Sequence, residues 1–355
     1  MSQKKFCLSL RVIAGIILTF VIAILAWWIT KRIYLIPLPF GITGKVLEYP
    51  IWAVILGIVV KLLLRPFKGN EYIRPGIKTE LFLKIGLVLL GAGIDLKLIL
   101  STAGGAIIQS LILITCVFFF TFWLAGRFGL DDKLRAVMST ALAVCGVSAA
   151  IAAAGSVKAK KEQVAYVIAL VIIVALPLMI LLPIIASVLH LPNAVAGAWF
   201  GGNIDTTAAV IGAGTIYNDS TQKIAAIVKS TQNVLIGVVA FLLAIYYASK
   251  NEGGQQPNLK LIWDRFPKFV LGFILASILY SFGLIDGGKG TTLEAIKNWA
   301  FTLAFVSMGM EFAFGEIKKM GWKPIIVFLL ATIFNTILAF ITAWGIFYYL
   351  FPSSL

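Results

Sequence analysis

The chain has 355 residues, of which 60% are hydrophobic and only 13% charged, a balance that excludes a water-soluble domain, because apolar surface would be left on every side. Its formal net charge of +15 does not indicate nucleic acid: the Lys and Arg residues stand in short clusters between apolar runs, with no basic stripe interleaved with aromatics. The three cysteines, Cys7, Cys116 and Cys145, lie in or beside apolar segments without CxxC spacing, so neither a disulfide framework nor a zinc site is supported.

Apolar stretches at 8–30, 48–64, 80–95, 103–126, 162–189, 220–249, 262–284, 293–314 and 323–351 are each long enough, some by tilting, to cross a hydrocarbon layer of roughly 30 Å. The first follows Lys4 and Lys5, but it is too long for a signal-peptide core and lacks a small-residue cleavage pattern, so it reads as a retained helix. Two further segments, 134–157 and 193–216, are rich in Ala, Gly, Ser and Thr and interrupted by polar residues. The expected fold is therefore an all-α polytopic membrane protein forming one membrane domain over 1–355. About nine transmembrane helices are joined by two opposed segments, re-entrant or broken; eleven full spans is the alternative.

Loop charge favours the first arrangement. The loops at 61–84 (Lys61, Arg65, Lys68, Arg74, Lys78, Lys84), 127–135, 158–161 (Lys158, Lys160, Lys161), 250–268 and 318–323 (Lys318, Lys319, Lys323) are basic, whereas 190–193 and 216–220 carry no Lys or Arg. If both odd segments enter and return on their own sides, every strongly basic loop and the N-terminus face the cytoplasm, as the positive-inside rule asks. Internal similarity also points to opposed halves, 48–189 and 193–351. Residues 147–155, VSAAIAAAG, align without gaps on 206–214, TTAAVIGAG. Leu90-Gly91-Ala92-Gly93 similarly resembles Met308-Gly309-Met310-Glu311, each followed by a Gly-initiated helix, at Gly104 and Gly321. Paired elements running in opposite directions mark inverted repeats around a midplane site.

Non-helical backbone at membrane depth is tolerated only where protein buries it or water reaches it, so breaks near Cys145-Gly146-Val147-Ser148 and Gly201-Gly202-Asn203-Ile204-Asp205-Thr206-Thr207 imply a cavity between them. Helix N-termini opening there would offer unpaired N–H groups and positive dipole ends to an anion. Ser148, Thr206 and Thr207 add hydroxyls, and Gly146 and Gly202 permit close backbone approach. The plainer reading is close helix packing through small residues.

Asp205 is an ionisable group inside a membrane segment, suited to a coupling cation or a proton, or else simply a helix cap. Lys229, followed by Ser230, Thr231, Gln232 and Asn233, could neutralise an anion, pair with Asp205, or snorkel to a headgroup. Asp95 and Glu311 read as interfacial caps, His190 as a loop residue, and Trp27, Trp28, Trp52, Trp199 and Trp344 as interface anchors. No Walker sequence, GxSxG elbow, HExxH or Cys/His cluster is present, which leaves an ATP-driven pump or a membrane hydrolase without its parts, and no enzymatic role is assigned.

Cys145-Gly146-x-Ser148-Ala149-Ala150, then Gly202-x-Ile204-Asp205-Thr206-Thr207-Ala208-Ala209-Val210, then Ile227-Val228-Lys229 resemble the YeiH-type family of bacterial inner-membrane proteins, over roughly 45–345. That resemblance implies a secondary transporter of sulfate or related sulfur anions. One departure stands out: where the family pattern places a His-Glu pair, this sequence has Asp205-Thr206, which changes the charge of the site near neutral pH.

The expected function is transport of a small, anionic, sulfate-, sulfite- or sulfonate-like solute by alternating access, bound by Cys145, Gly146, Ser148, Gly202, Asn203, Asp205, Thr206, Thr207 and Lys229. Na+ or H+ is the coupling ion, and no cofactor is expected. The alternatives are a sodium- or proton-coupled importer of an organic solute and a channel or scaffold with no transport cycle of its own. The partners are the small anion, the lipid bilayer and, in a dimer, a second copy of the chain; no nucleic acid is expected.

Overall fold

The computed structural model describes residues 2–33, 48–66, 69–250, 259–288, 290–312 and 321–351, and among them there are helices and no strand. In chain order the helices are α1 (Ser2–Ile33), α2 (Tyr49–Leu64), α3 (Gly69–Ile73), α4 (Thr79–Gly91), α5 (Leu96–Arg127), α6 (Asp132–Ala143), α7 (Val147–Val157), α8 (Lys161–Val188), α9 (Asn193–Asn203), α10 (Thr207–Tyr217), α11 (Asp219–Val234), α12 (Ile236–Ser249), α13 (Lys260–Arg265), α14 (Phe269–Ser281), α15 (Thr292–Glu311) and α16 (Lys323–Ala343). A π-helical turn, Trp344–Leu350, prolongs α16.

Five of these runs are long and apolar enough to cross a membrane: Leu10–Ile33, Leu96–Arg127, Lys161–Val188, Asp219–Ser249 and Lys323–Leu350. Their outward faces call for lipid. Ile333, Ile337 and Ile341, one turn apart on α16, are 57%, 56% and 60% exposed, an apolar stripe that a water-facing helix would not carry. The chain is a multi-pass membrane protein.

Hydropathy overstated several of the shorter spans. The stretch at 80–95 yields only α4, whose 13 residues reach about 20 Å, because the helix stops at Gly91 and the chain turns through Ala92-Gly93. The stretch at 262–284 is divided around Pro267 between α13 and α14. The run 220–249 keeps its spanning length as Asp219–Ser249 but passes from α11 to α12 at Leu235, whose N–H bonds back to the carbonyls of Asn233 and Gln232. Gly104 opens no helix, since α5 begins at Leu96; Gly321, at φ +80°, does precede α16. Lys68, Lys318 and Lys319, counted above among the basic loops, lie outside the described residues.

The helices gather into two compact units interleaved along the chain. The first holds Met1–Leu96, Thr215–Tyr217 and Leu271–Phe312. In it α15 packs against α1, α2 and α4. A Cβ on Gly57 would collide with the carbonyl oxygen of Val306, and one on Gly309 with that of Val54, so glycine lets the α2 and α15 backbones touch. Trp27 stacks on Tyr49 at 5.1 Å and donates its indole N–H to Thr302 Oγ1 at 3.0 Å.

The second unit holds Lys97–Gly214, Asn218–Val270 and Ala313–Leu355. Its core is assembled from α5 to α8, α12 and α16 around small residues such as Ala141, Ala149, Ala150 and Ala240. Here α6 packs on α7, α7 on α12, α11 on α9, and α9 on α16. Trp199, expected at the interface, is buried and donates to the Thr336 carbonyl at 3.0 Å. Sequence does not distinguish an indole facing lipid from one facing the next helix. Trp28, 56% exposed with the Arg32 guanidinium over its ring, fits an anchor better.

Candidate functional site: two helix breaks clamped by a polar face

Both interruptions occur in the second unit, where the sequence places them. Helix α6 ends at Ala143, and the chain passes through Val144 and Cys145 to Gly146, at φ 60° and ψ −108°. An L side chain rarely adopts that backbone conformation, so glycine is required there. Helix α9 ends at Asn203; Ile204 and Thr206 are extended, and α10 begins at Thr207. The α10 cap is Thr206, whose Oγ1 accepts the Ala209 N–H at 3.3 Å. The capping role weighed for Asp205 therefore belongs to its neighbour.

The breaks touch. A Cβ built on Gly146 would lie 3.2 Å from the carbonyl oxygen of Asp205 and 3.3 Å from its Cβ. Helix α11 then ties the two together. Lys229 Nζ donates to the Val144 carbonyl at 2.7 Å and to Gln232 Oε1 at 2.8 Å, and Gln232 Nε2 donates to the Ala143 carbonyl at 3.0 Å. A cation and an amide thus satisfy the orphan carbonyls at the negative end of α6. One residue on, Asn233 Nδ2 donates to Thr207 Oγ1 at 3.1 Å, reaching the first residue of α10.

The end of α9 is held from two more sides. Asn335 Nδ2 donates to the Asn203 carbonyl at 3.0 Å and Thr336 Oγ1 to Asn203 Oδ1 at 3.1 Å, while Gln109 Nε2 donates to the Ala198 carbonyl at 3.2 Å. Gly202 faces α5, where a Cβ would come 2.9 Å from Gln109 Nε2.

Asp205 and Lys229 are 2% and 1% exposed. Lys229 directs its ammonium to Val144 and Gln232, and neither carboxylate oxygen of Asp205 has a hydrogen-bond partner among the described residues. Leaving a buried polar group unsatisfied costs about 1–3 kcal/mol, and more for a charge, so Asp205 is held in this arrangement at an energetic cost. Of the other expected residues, Cys145, Gly146, Gly202 and Asn203 are buried, Thr206 and Thr207 half-buried, and Ser148 exposed, which puts the hydroxyls on the open side. His190 sits in the turn after α8 with φ +50°. Asp95 and Glu311 are exposed and belong to the first unit.

The site also contains Gln109, Gln232, Asn233, Asn335 and Thr336, which sequence reasoning left out of the site. The signal was present as polar pairs, Gln109-Ser110 and Asn335-Thr336, inside otherwise apolar helices.

A multi-pass membrane protein, helical among its described residues, with two ionisable side chains buried at two touching helix breaks is the class these observations define. The chain belongs to the family described as conserved hypothetical protein 698, whose model matches residues 14–328; this is the YeiH-type family that the two break motifs resemble. It is 34% identical over 351 residues to a UPF0324 membrane protein of Rhodopirellula baltica, covering 94% of this chain and 63% of that relative. It is 35% identical over 322 residues to a UPF0324 membrane protein of Nitratidesulfovibrio vulgaris, covering 85% and 55%, and 25% identical over 347 residues to one of Bacillus cereus, covering 97% and 93%. The chain therefore spans less than two thirds of the length of the first two relatives. No solved structure matches.

Proposed function

We propose that the protein is a secondary transporter that moves a small, sulfate-, sulfite- or sulfonate-like anion across the bacterial inner membrane by alternating access, with its N-terminus in the cytoplasm. One observation carries this reading: two helix breaks touch, and a buried ammonium and a buried carboxylate that accepts no hydrogen bond among the described residues lie beside them. The N-termini of α7 and α10 open at those breaks and supply amide donors for an anion, with Lys229 as countercharge and Ser148, Thr206 and Thr207 as hydroxyl donors on the open side. The aligned segments VSAAIAAAG and TTAAVIGAG fall almost entirely on these two helices, each of 11 residues and each starting at a break, which supports the inverted-repeat reading. The packing of α6 on α7 supports a re-entrant hairpin at 134–157.

A second reading, a cation-coupled importer of an organic solute, is favoured by the Asp205 oxygens, which accept no hydrogen bond among the described residues. A thermal-shift screen of the purified protein against sulfate, sulfite, sulfonates and carboxylates separates the two. A true substrate at about a hundred times its dissociation constant stabilises the native state by roughly 2.7 kcal/mol. Sulfur anions should raise the melting temperature, and Lys229→Met should remove the shift. Stabilisation by organic carboxylates alone supports the importer; a flat response across the panel rejects a solute site at the breaks.

A further inference from the structure

The polar atoms left without partners around the second break are not a balanced set. Besides both oxygens of Asp205, the buried atoms without a hydrogen-bond partner include Gln109 Oε1, Asn233 Oδ1 and Asn335 Oδ1, which can only accept, against one amide donor, Asn203 Nδ2, and two hydroxyls of the same helices, Ser110 Oγ and Ser230 Oγ, which can donate or accept. Each of the three accepting amides is tied to the segment that carries Asp205. Asn335 bonds the Asn203 carbonyl, Asn233 bonds Thr207, and Gln109 lies against Gly202. The orientation of the Asn335 amide is fixed, because its partner is a carbonyl oxygen that can only accept, so the nitrogen faces Asn203 and the oxygen must point elsewhere. Asp205, Gln109, Asn203, Asn233 and Asn335 are each 3% exposed or less. An anion requires donors, and this lining presents mainly acceptors.

We infer that the break at Asn203–Thr207 is a binding site for a dehydrated alkali cation, sodium in the first instance, held by the Asp205 carboxylate together with the side-chain oxygens of Asn233, Asn335 and Gln109. Oxygen-only ligation suits a hard cation. A single carboxylate matches a single positive charge, and no cluster of three or more His, Cys, Asp or Glu side chains that would hold a multivalent metal occurs among the described residues. A proton would satisfy one acceptor and leave the others bare, whereas an alkali ion engages several at once. Unwound helix segments that coordinate sodium beside a solute are a recurring transporter device. The inference deepens the proposed function by naming its coupling ion, and it narrows the anion's share of the site to Lys229, Ser148 and the α7 N-terminus, giving the Asn203–Thr207 end, with the α10 N-terminus, to the cation.

The test is thermal unfolding of the full chain in detergent, titrated with NaCl, KCl or LiCl against choline chloride at constant ionic strength and pH, without added anionic solute beyond chloride. An alkali chloride should raise the melting temperature saturably while choline does not. Asn335→Ala and Asn233→Ala should each weaken the apparent affinity by about tenfold or more, and Asp205→Asn should abolish the response. Asn335→Ala keeps the test decisive if Asp205→Asn fails to fold. Equal melting in alkali and choline chloride overturns the site, even if sulfate still stabilises the protein and the anion reading stands. An alkali response in a protein indifferent to every solute would leave the cation site standing and sink the transport reading.

Discussion

Replacing Gly146 with alanine attacks the contact on which the site depends. At φ 60° and ψ −108° a Cβ is strained whatever the space around it, at about 1–3 kcal/mol for a residue held in such a region. The added methyl would also come 2.5 Å from Val171 Cγ1 and 3.2 Å from the Asp205 carbonyl oxygen, and overpacking of that kind costs about 1–3 kcal/mol more. Gly129 is the internal comparison: it too has a positive φ, 70°, but nothing lies within 4 Å of its added Cβ, so Gly129→Ala carries backbone strain without the clash. Unfolding of both variants in the same detergent should place Gly146→Ala below Gly129→Ala by about 1–3 kcal/mol, with anion stabilisation lost only in Gly146→Ala. Equal stabilities, or an intact anion response in Gly146→Ala, would refute the contact between the breaks.

Three further outcomes follow from the same packing. Lys229→Met removes two hydrogen bonds and isolates the Asp205 charge, so stability should fall by about 3–5 kcal/mol, and Asp205→Asn in that background should recover part of the loss in a double-mutant cycle. Gly57→Leu should disrupt the α2–α15 contact and lower the melting temperature, whereas Leu63→Ala, at an exposed position on the same helix, should change it little. Asp131 caps α6 outside the apolar runs, and Asp131→Ala should cost about 1 kcal/mol. Partial burial alone would raise the Asp131 carboxyl, but the Gln163 amide, the N–H groups of Leu134 and Lys133 and the charge of Lys160 hold it below its ordinary value. A depressed carboxyl stabilises the fold above its unfolded pKa of about 4 and loses that contribution as pH falls through the folded value, so acid melting curves of the wild type and Asp131→Ala should converge below about pH 4.

What could be read in advance follows the range of the forces involved. The breaks were legible because glycine and polar residues inside apolar runs are a local signal, and the structure interrupts the chain at 144–146 and 204–206, within the motifs that announced them. Recognition of the family through Cys145-Gly146-x-Ser148 and Ile204-Asp205-Thr206-Thr207 held for the same reason. Capping was misassigned between Asp205 and Thr206 because it depends on backbone dihedrals one residue apart. The supports from Gln109, Asn335 and Thr336 were missed because their partners lie 89 to 133 residues away, and spacing does not encode such contacts. Span lengths failed where Gly91 and Pro267 end helices that hydropathy would continue.

Counterflow in proteoliposomes tests the central claim most directly. Vesicles loaded with unlabelled sulfate and diluted into a trace of labelled sulfate should accumulate label transiently and saturably above protein-free vesicles, and Lys229→Met should reduce that to background. Label uptake no greater than in protein-free vesicles for sulfate, sulfite, sulfonates and carboxylates alike would contradict the account.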